Sequence, residues 1–452
     1  MAITLGPQAI TLRFPQYVTL LAPIPGERPP PQVETPSPSP LVTGSLPAGL
    51  GSAPPAVDSA SRSSILLAQK AFSMYRVYPL IARYLSGTTA SGIFEARLAA
   101  EEFHTEDTAE NTGSGHRSVS RSMQEKETPP EKENHVFEPA YKPEEMQELC
   151  RICTHIYFNS LAQLELHRPI WEPAVKAGKI QVALRINPEH STQEGHEIYD
   201  PCAPGSRLGI RRSDMPEKLP EGVTGLHFHT LCEQGVEPLI ETFRAVEERF
   251  GDYLKQIRWI NLGGGHHITV EGYDIQKLEE LILEIREKYG LKVYLEPGEA
   301  IAINAGTLIT RVLDVVEATD MPTAILDASA ACHMPDVLEM PYTPPLVGEM
   351  TYADYRSEQK GDVGDRIPVR LASRTCLAGD VIGIYAMKEV PKVGDILTFG
   401  DMAIYSMVKN NTFNGMALPD IVLKKEGADH SVEGAEYELV KRFGYEDFKC
   451  RL

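Results

Sequence analysis

Between residues 64 and 298, short β-like runs alternate eight times with amphipathic helical stretches, and nothing else in this chain restricts its fold as strongly. The runs are SILLAQK, SGTTAS, HVFEP, THIYFNS, IQVALRIN, GVTGLHFH, IRWINLGGG and LKVYLEPG. Strands joined through helices are linked by crossovers, so they lie parallel with the helices covering them. The helical stretches have the matching period. In VEPLIETFRAVEERFGDYL, Val236, Leu239, Ile240, Phe243, Val246, Phe250 and Leu254 fall on one face at helical spacing. QKLEELILEIREKYG does the same with Leu278, Leu281, Ile282 and Ile285. Eight such units predict an α/β chain built on a (β/α)8 barrel of the TIM type.

After Gly298 the rhythm changes. TLITRVLDVVEA, PTAILDAS, PVRLAS, DVIGIYAM and DILTFGDMAIYSMV are β-rich with turn residues between them, which predicts a second, mostly antiparallel β domain over 301–452. Residues 1–62, with ERPPPQVETPSPSP, are rich in Pro, Ser, Gly and Ala and have no sustained apolar period, so a disordered arm is expected. The barrel is placed at 63–300, interrupted at 104–134 by a polar segment that reads as a surface insertion.

Charge limits the partners. The chain has 44 basic and 63 acidic residues, a net charge of −19, which argues against nucleic acid and favours a cationic substrate. It contains no apolar run of the ~18 residues that a membrane span needs. Its N-terminus lacks a basic region followed by an apolar core and cleavage site, so a cytoplasmic protein is expected. Seven scattered cysteines do not form a disulfide framework. Cys150 and Cys153 in CRIC have CxxC spacing near His155, but no second pair completes a zinc site. They are read as packed thiols, and no metal is expected.

In a TIM barrel the chemistry sits at the C-terminal strand ends. Those positions are Lys70, Thr89 and Ser91, Asn159, Arg185 and Asn187, His227 and His229, Gly263 to Gly265, and Glu296. A lysine, an imidazole, a glycine run and an acid at ends one, six, seven and eight suit a phosphorylated aldehyde such as pyridoxal phosphate. A lysine partly removed from water has a lowered pKa and can bond an aldehyde. Glycines leave backbone N–H groups free to approach a phosphate. A carboxylate facing the pyridine nitrogen keeps it protonated, so the ring can take up electrons. Each residue alone would be an ordinary loop charge, turn or packed histidine; their shared placement carries the reading.

With these residues in place, the chain resembles the fold-type III pyridoxal-phosphate decarboxylases, the group of ornithine and diaminopimelate decarboxylases. Within it the likeness is strongest to the carboxynorspermidine/carboxyspermidine subfamily. The matching stretches are LLAQKAFS, GTTASGIFEARLA, FNSLAQLE, RINPEHS, PCAPGSRLG, GLHFHTLCEQ, NLGGGHHIT, LEPGEA, DASAACHMPDVLEMPY, CLAGD and FNGM, in the family's order over most of 64–452. Where the ornithine and diaminopimelate enzymes typically read EPGR, this chain reads EPGEA.

The resemblance implies a role for each matching residue. Lys70 corresponds to the cofactor-bonding lysine, His229 to the ring-stacking histidine, Gly263, Gly264 and Gly265 to the phosphate loop, and Glu296 to the acid on the pyridine nitrogen. Tyr405 corresponds to a phosphate-contacting tyrosine. Cys376 corresponds to a catalytic cysteine that reaches into the partner subunit's site, which implies a homodimer with shared active sites. Glu299 and Asp336 correspond to substrate-binding acids, and two acids suit a small cationic polyamine. The implied activity is decarboxylation of carboxynorspermidine or carboxyspermidine in polyamine biosynthesis. Its rivals are a diaminopimelate-like decarboxylase and a non-catalytic regulatory homologue. Family members open with a β-domain strand and a long helix before the lysine strand, whereas here the arm 1–62 stands in that place and 104–134 is inserted.

Overall fold

The computed structural model describes residues 16–21, 63–105, 132–193, 197–357, 365–425 and 436–452. Eight parallel strands close into a barrel in chain order. They are β2 (Ser64–Ala68), β3 (Gly87–Ala90), β4 (Glu133–Phe137), β5 (His155–Phe158), β6 (Gln181–Arg185), β7 (Val223–His227), β8 (Trp259–Asn261) and β9 (Lys292–Leu295). They are the eight runs read from the sequence. Closure comes from β2 pairing with β9, Ser64 opposite Tyr294 and Ile65 opposite Leu295.

The covering helices bury the faces that their periodicity marks. On helix Val236–Leu254, Val236, Leu239, Phe243, Val246, Phe250 and Leu254 are buried, while Ile240 is packed at the margin. Helix Ile275–Tyr289 buries Leu278, Leu281, Ile282 and Ile285. It starts where Asp274 accepts the N–H of Lys277 and stops at Gly290, whose left-handed φ of 69° ends the turn.

Inside the barrel, Leu66, Tyr157, Ala183, Trp259 and Tyr294 form a separate cluster. Large rings fit because small residues face them: a Cβ on Gly225 would lie 2.3 Å from the Trp259 ring. Cys150 and Cys153 are both buried at the end of helix Pro143–Ile152, and burial raises both thiols. No described helix is long and apolar enough to cross a membrane.

The second domain is a nine-stranded sheet. Its strands are β1 (Gln16–Leu21), β10 (Gly306–Glu317), β11 (Pro322–Leu326), β12 (Met350–Thr351), β13 (Ile367–Ser373), β14 (Val381–Met387), β15 (Ile396–Phe399), β16 (Asp420–Lys425) and β17 (Glu436–Lys441). The sheet is mixed: β1 runs parallel to β10 and β11 parallel to β13, while the remaining pairings are antiparallel. The span expected as an arm therefore supplies a strand, seated between β10 and β16. The rest of 1–62, and 106–131 of the insertion, lie outside the described residues; Glu133 and Asn134 already belong to β4.

Candidate active site

Lys70 follows β2 by two residues, and its Nζ lies 3.0 Å from Nε2 of His229, two residues past β7. The other ring nitrogen, Nδ1, accepts the N–H of Gly264 at 3.0 Å. Burial first, then the charges of Lys70 and Arg185, holds His229 well below its ordinary pKa, so the ring is neutral. A neutral imidazole that accepts at Nδ1 carries its proton at Nε2. That Nε2–H faces Nζ of Lys70. Desolvation and Arg185 lower the Lys70 pKa in the same sense, against a smaller opposing pull from Glu296. Solvent still reaches the Lys70 side chain at the open mouth; the protein packed closely around its amine explains the lowering.

Glu296, just past β9, is nine-tenths buried. Its Oε1 accepts from Nδ2 of Asn261 at 2.7 Å, and its Oε2 lies 3.5 Å from Nε2 of His227. Burial pulls its pKa up, but His227, His135 and the hydroxyl of Thr89 outweigh that pull and hold it below the usual carboxylate range. His227 stacks on Tyr157 with ring centroids 4.8 Å apart. Arg185, at the end of β6, donates to the carbonyl of His229 at 3.0 Å and lies 4.4 Å above the Phe137 ring. Burial lowers its pKa to about 10.

In the glycine run two of the three N–H groups have partners within the protein: Gly263 donates to Oδ1 of Asn261 and Gly264 to His229. The missing side chains are required by close packing, since a Cβ on Gly264 would lie 2.1 Å from the carbonyl oxygen of Glu296 and one on Gly265 1.9 Å from that of Leu231. The run thus welds the ends of β7, β8 and β9 together.

Glu299 opens a short helix after the Pro-Gly turn and pairs with His267 at 3.0 Å. Asp336 pairs with Lys409, which also bonds Glu339 at 2.7 Å. Glu233 and Asp401 lie near Glu299, and the repulsion adds to the burial that raises both their pKa values. Tyr405 has a left-handed φ of 53°, and its N–H donates to the carbonyl of Ala71, next to Lys70. Cys376 is exposed on the second domain, its N–H bonded to Asn414, and no hydrogen bond joins it to Lys70 among the described residues.

Other strand-end residues are structural. Asn159 and Asn187 bond backbone groups of the loop after β6: Asn159 takes the N–H of Gly209 and donates to Arg207, and Asn187 donates to Pro201 and Leu208. Asn261 is the contact that reading strand ends missed; the signal was an amide closing the apolar run WIN. At the opposite end of the barrel Glu133, His135 and His155 bring possible ligand atoms within 4.8 Å of one another. The Lys292 ammonium, 2.9 Å from Glu133, already occupies that carboxylate.

A lysine amine of lowered pKa, a neutral imidazole, an ionised buried carboxylate and a side-chain-free glycine turn fit pyridoxal phosphate. Residues 56–403 match the family model described as pyridoxal-dependent decarboxylase, C-terminal sheet domain. This chain belongs to the pyridoxal-dependent decarboxylases. The decarboxylase is 37% identical over 392 residues to a carboxynorspermidine/carboxyspermidine decarboxylase of Campylobacter jejuni, covering 86% of this chain and 92% of the relative. It is 39% identical over 391 residues to a carboxyaminopropylagmatine decarboxylase of Synechocystis, covering 86% and 88%. The crystal structure of the Campylobacter jejuni carboxynorspermidine decarboxylase complexed with norspermidine superposes with a TM-score of 0.70 at 34% identity, over 87% of this chain and 93% of that one.

Proposed function

We propose that this carboxy-lyase removes the α-carboxylate of carboxynorspermidine or carboxyspermidine as CO2, leaving norspermidine or spermidine. One observation carries the reading. Glu299 and Asp336 each already pair with a basic side chain of the protein itself, His267 and Lys409, and two further acids, Glu233 and Asp401, lie near Glu299. Such a surface receives a chain of ammonium groups and repels a second carboxylate of the diaminopimelate kind.

Pyridoxal phosphate, when bound, supplies an electron sink for the pair left as the Cα–carboxylate bond breaks. Lys70 would hold it at the aldehyde, His229 would stack on the ring, Glu296 would face the ring nitrogen, and Gly263, Gly264, Gly265 and Tyr405 would lie near the phosphate. Glu296 keeps a proton on that nitrogen. His229 holds the amine of Lys70 in place, while burial and Arg185 lower the amine's pKa. Glu299 and Asp336 orient the ammonium groups, so the carboxylate to be lost is placed by contacts remote from it. Cys376, reaching into the partner subunit's site, or Lys70 returns a proton to Cα, within a cytoplasmic homodimer. The barrel 63–300 and the sheet domain, 301–452 together with strand β1, act as the two units whose junction forms the site.

A second reading has its own support, since the Synechocystis relative is named for a carboxylated agmatine derivative. A guanidinium would meet the same acids through paired hydrogen bonds. The test has two parts. Pyridoxal phosphate and borohydride, followed by peptide mapping, place the phosphopyridoxyl mass on Lys70; a mass elsewhere or none overturns the site. CO2 release is then compared for carboxynorspermidine, carboxyspermidine, carboxyaminopropylagmatine and diaminopimelate. Higher kcat/KM for either of the first two is expected, and preference for one of the others replaces the proposal.

A further inference from the structure

One hydrogen-bonded chain runs through the barrel from the mouth to the base. It starts at Asn261, whose Oδ1 accepts the N–H of Gly263 at 2.9 Å. That contact fixes which way the amide faces and commits Nδ2 to the interior. Both Nδ2 hydrogens are used, one on Oε1 of Glu296 at 2.7 Å and one on the hydroxyl of Tyr157 at 2.9 Å. Tyr157 accepts from Asn261, and its hydroxyl is hydrogen-bonded to Nδ1 of His135. Nε2 of His135 faces Oε2 of Glu133 at 3.2 Å, and a carboxylate only accepts, so a proton sits on Nε2. Glu133 also accepts from Nζ of Lys292 at 2.9 Å and from the hydroxyl of Tyr294 at 3.2 Å.

Gly263 orients the Asn261 amide, and the Glu133 carboxylate orients Nε2 of His135. At the base, the hydrogen bond from His135 and the nearby basic groups, Lys292 among them, outweigh burial and hold Glu133 below the usual carboxylate range. The upper end meets the carboxylate expected at the cofactor's ring nitrogen. Glu296 is also faced by His227, Thr89, Arg185 and Lys70. Of these neighbours, Asn261 alone also bonds the glycine run.

We infer that Asn261, Tyr157 and His135 are positioning residues for the decarboxylation: polarised from the barrel base by Glu133 and Lys292, they keep a donor on Glu296 and lock it to the glycine turn. The inference rests on the proposed role of Glu296 at the ring nitrogen. It adds that this role depends on residues at the opposite end of the barrel, where neither substrate nor cofactor reaches. Networks of this kind act as a unit, so cutting one link is felt at both ends.

The test uses the holoenzyme and the nearly isosteric variants Asn261→Asp and Tyr157→Phe. Asn261→Asp keeps an acceptor for Gly263 but puts a second carboxylate against Glu296, so the two must share a proton. Cofactor affinity should fall on the order of tenfold, and the pH midpoint of the cofactor's visible absorbance should move by about one unit. Tyr157→Phe should move both in the same direction by less, and the double variant by less than the sum. In all three kcat should fall while KM stays. The spectrum needs no substrate, so a wrong substrate assignment leaves this test readable. In the wild-type protein, nitrogen NMR should place the His135 proton on Nε2. A proton on Nδ1 overturns the chain whether or not the variants fold. An unmoved spectrum in Asn261→Asp, or one unmoved in Tyr157→Phe alone, overturns the coupling.

Discussion

His229 bridges Lys70 and the glycine turn: Nε2 lies 3.0 Å from Nζ, and Nδ1 accepts the N–H of Gly264. Burial and Arg185 lower the pKa of the lysine, at a cost to the folded state. An amine whose pKa is lowered on folding leaves the unfolded chain to take up a proton first, near 10.5. Between 10.5 and the lower folded value, falling pH therefore favours unfolding. Lys70→Met should raise the melting temperature of the cofactor-free protein near neutral pH, and the gain should vanish above the ordinary lysine pKa. A gain independent of pH would assign it to packing alone.

Glu296→Gln keeps the shape of the side chain and removes its charge. Turnover should drop by about 10²–10³-fold, the scale of losing one aimed electrostatic contact. The cofactor should still attach to Lys70, as mass after borohydride will report. Unchanged kcat would remove Glu296 from the ring nitrogen.

The pair His267–Glu299 predicts a pH effect on binding. Its hydrogen bond to Glu299 is the largest influence on His267 and raises its pKa. Below that raised value the imidazolium cancels Glu299; above it the carboxylate is free to take a substrate ammonium. KM for a polyamine substrate should therefore fall as pH rises through the titration, and His267→Gln should flatten the profile. The stability contributed by the charged pair runs the other way, fully present below the unfolded histidine pKa and lost as pH rises. A KM that rises with pH would contradict the assignment of Glu299.

Gly225→Ala tests the barrel interior. Its Cβ would enter the Trp259 ring at 2.3 Å, and the ring is held by Tyr157, Tyr294 and His155. Overpacking of this kind should destabilise by about 1–3 kcal/mol in urea unfolding. A neutral result would mean that the ring has room to move.

If Cys376 serves the partner subunit, two dead variants should rescue each other. Mixed Lys70→Ala and Cys376→Ala subunits form heterodimers with one intact site of two, so about a quarter of wild-type activity should return. No recovery in a verified heterodimer would place Cys376 in its own subunit's site or in none.

The barrel was legible because its signal is local: each strand is an apolar run, each helix a 3.6-residue period, and their alternation forces parallel pairing. The sheet was less so. Residues 420–425 and 436–441 are short and studded with charge, and Gln16–Leu21 sits in Pro-rich surroundings. The parallel pairing of β11 with β13 depends on contacts that no single segment contains. At the site, position along a strand located Lys70, His229 and Glu296. It said nothing about which polar atoms were already satisfied, so the engaged N–H groups of Gly263 and Gly264 and the inward face of Asn261 came only with the folded chain.

Strand β1 lies between β10, which starts at Gly306, and β16, which starts at Asp420. On the ribosome it emerges before the barrel, and both its partners emerge after. The eight barrel strands are contiguous in the chain and can close as they are made, whereas this strand must wait, unpaired, for the last third of the protein. Vectorial synthesis therefore finishes the catalytic barrel first and the sheet last. In that interval the nascent protein carries an open β edge that a chaperone or a neighbouring chain can take.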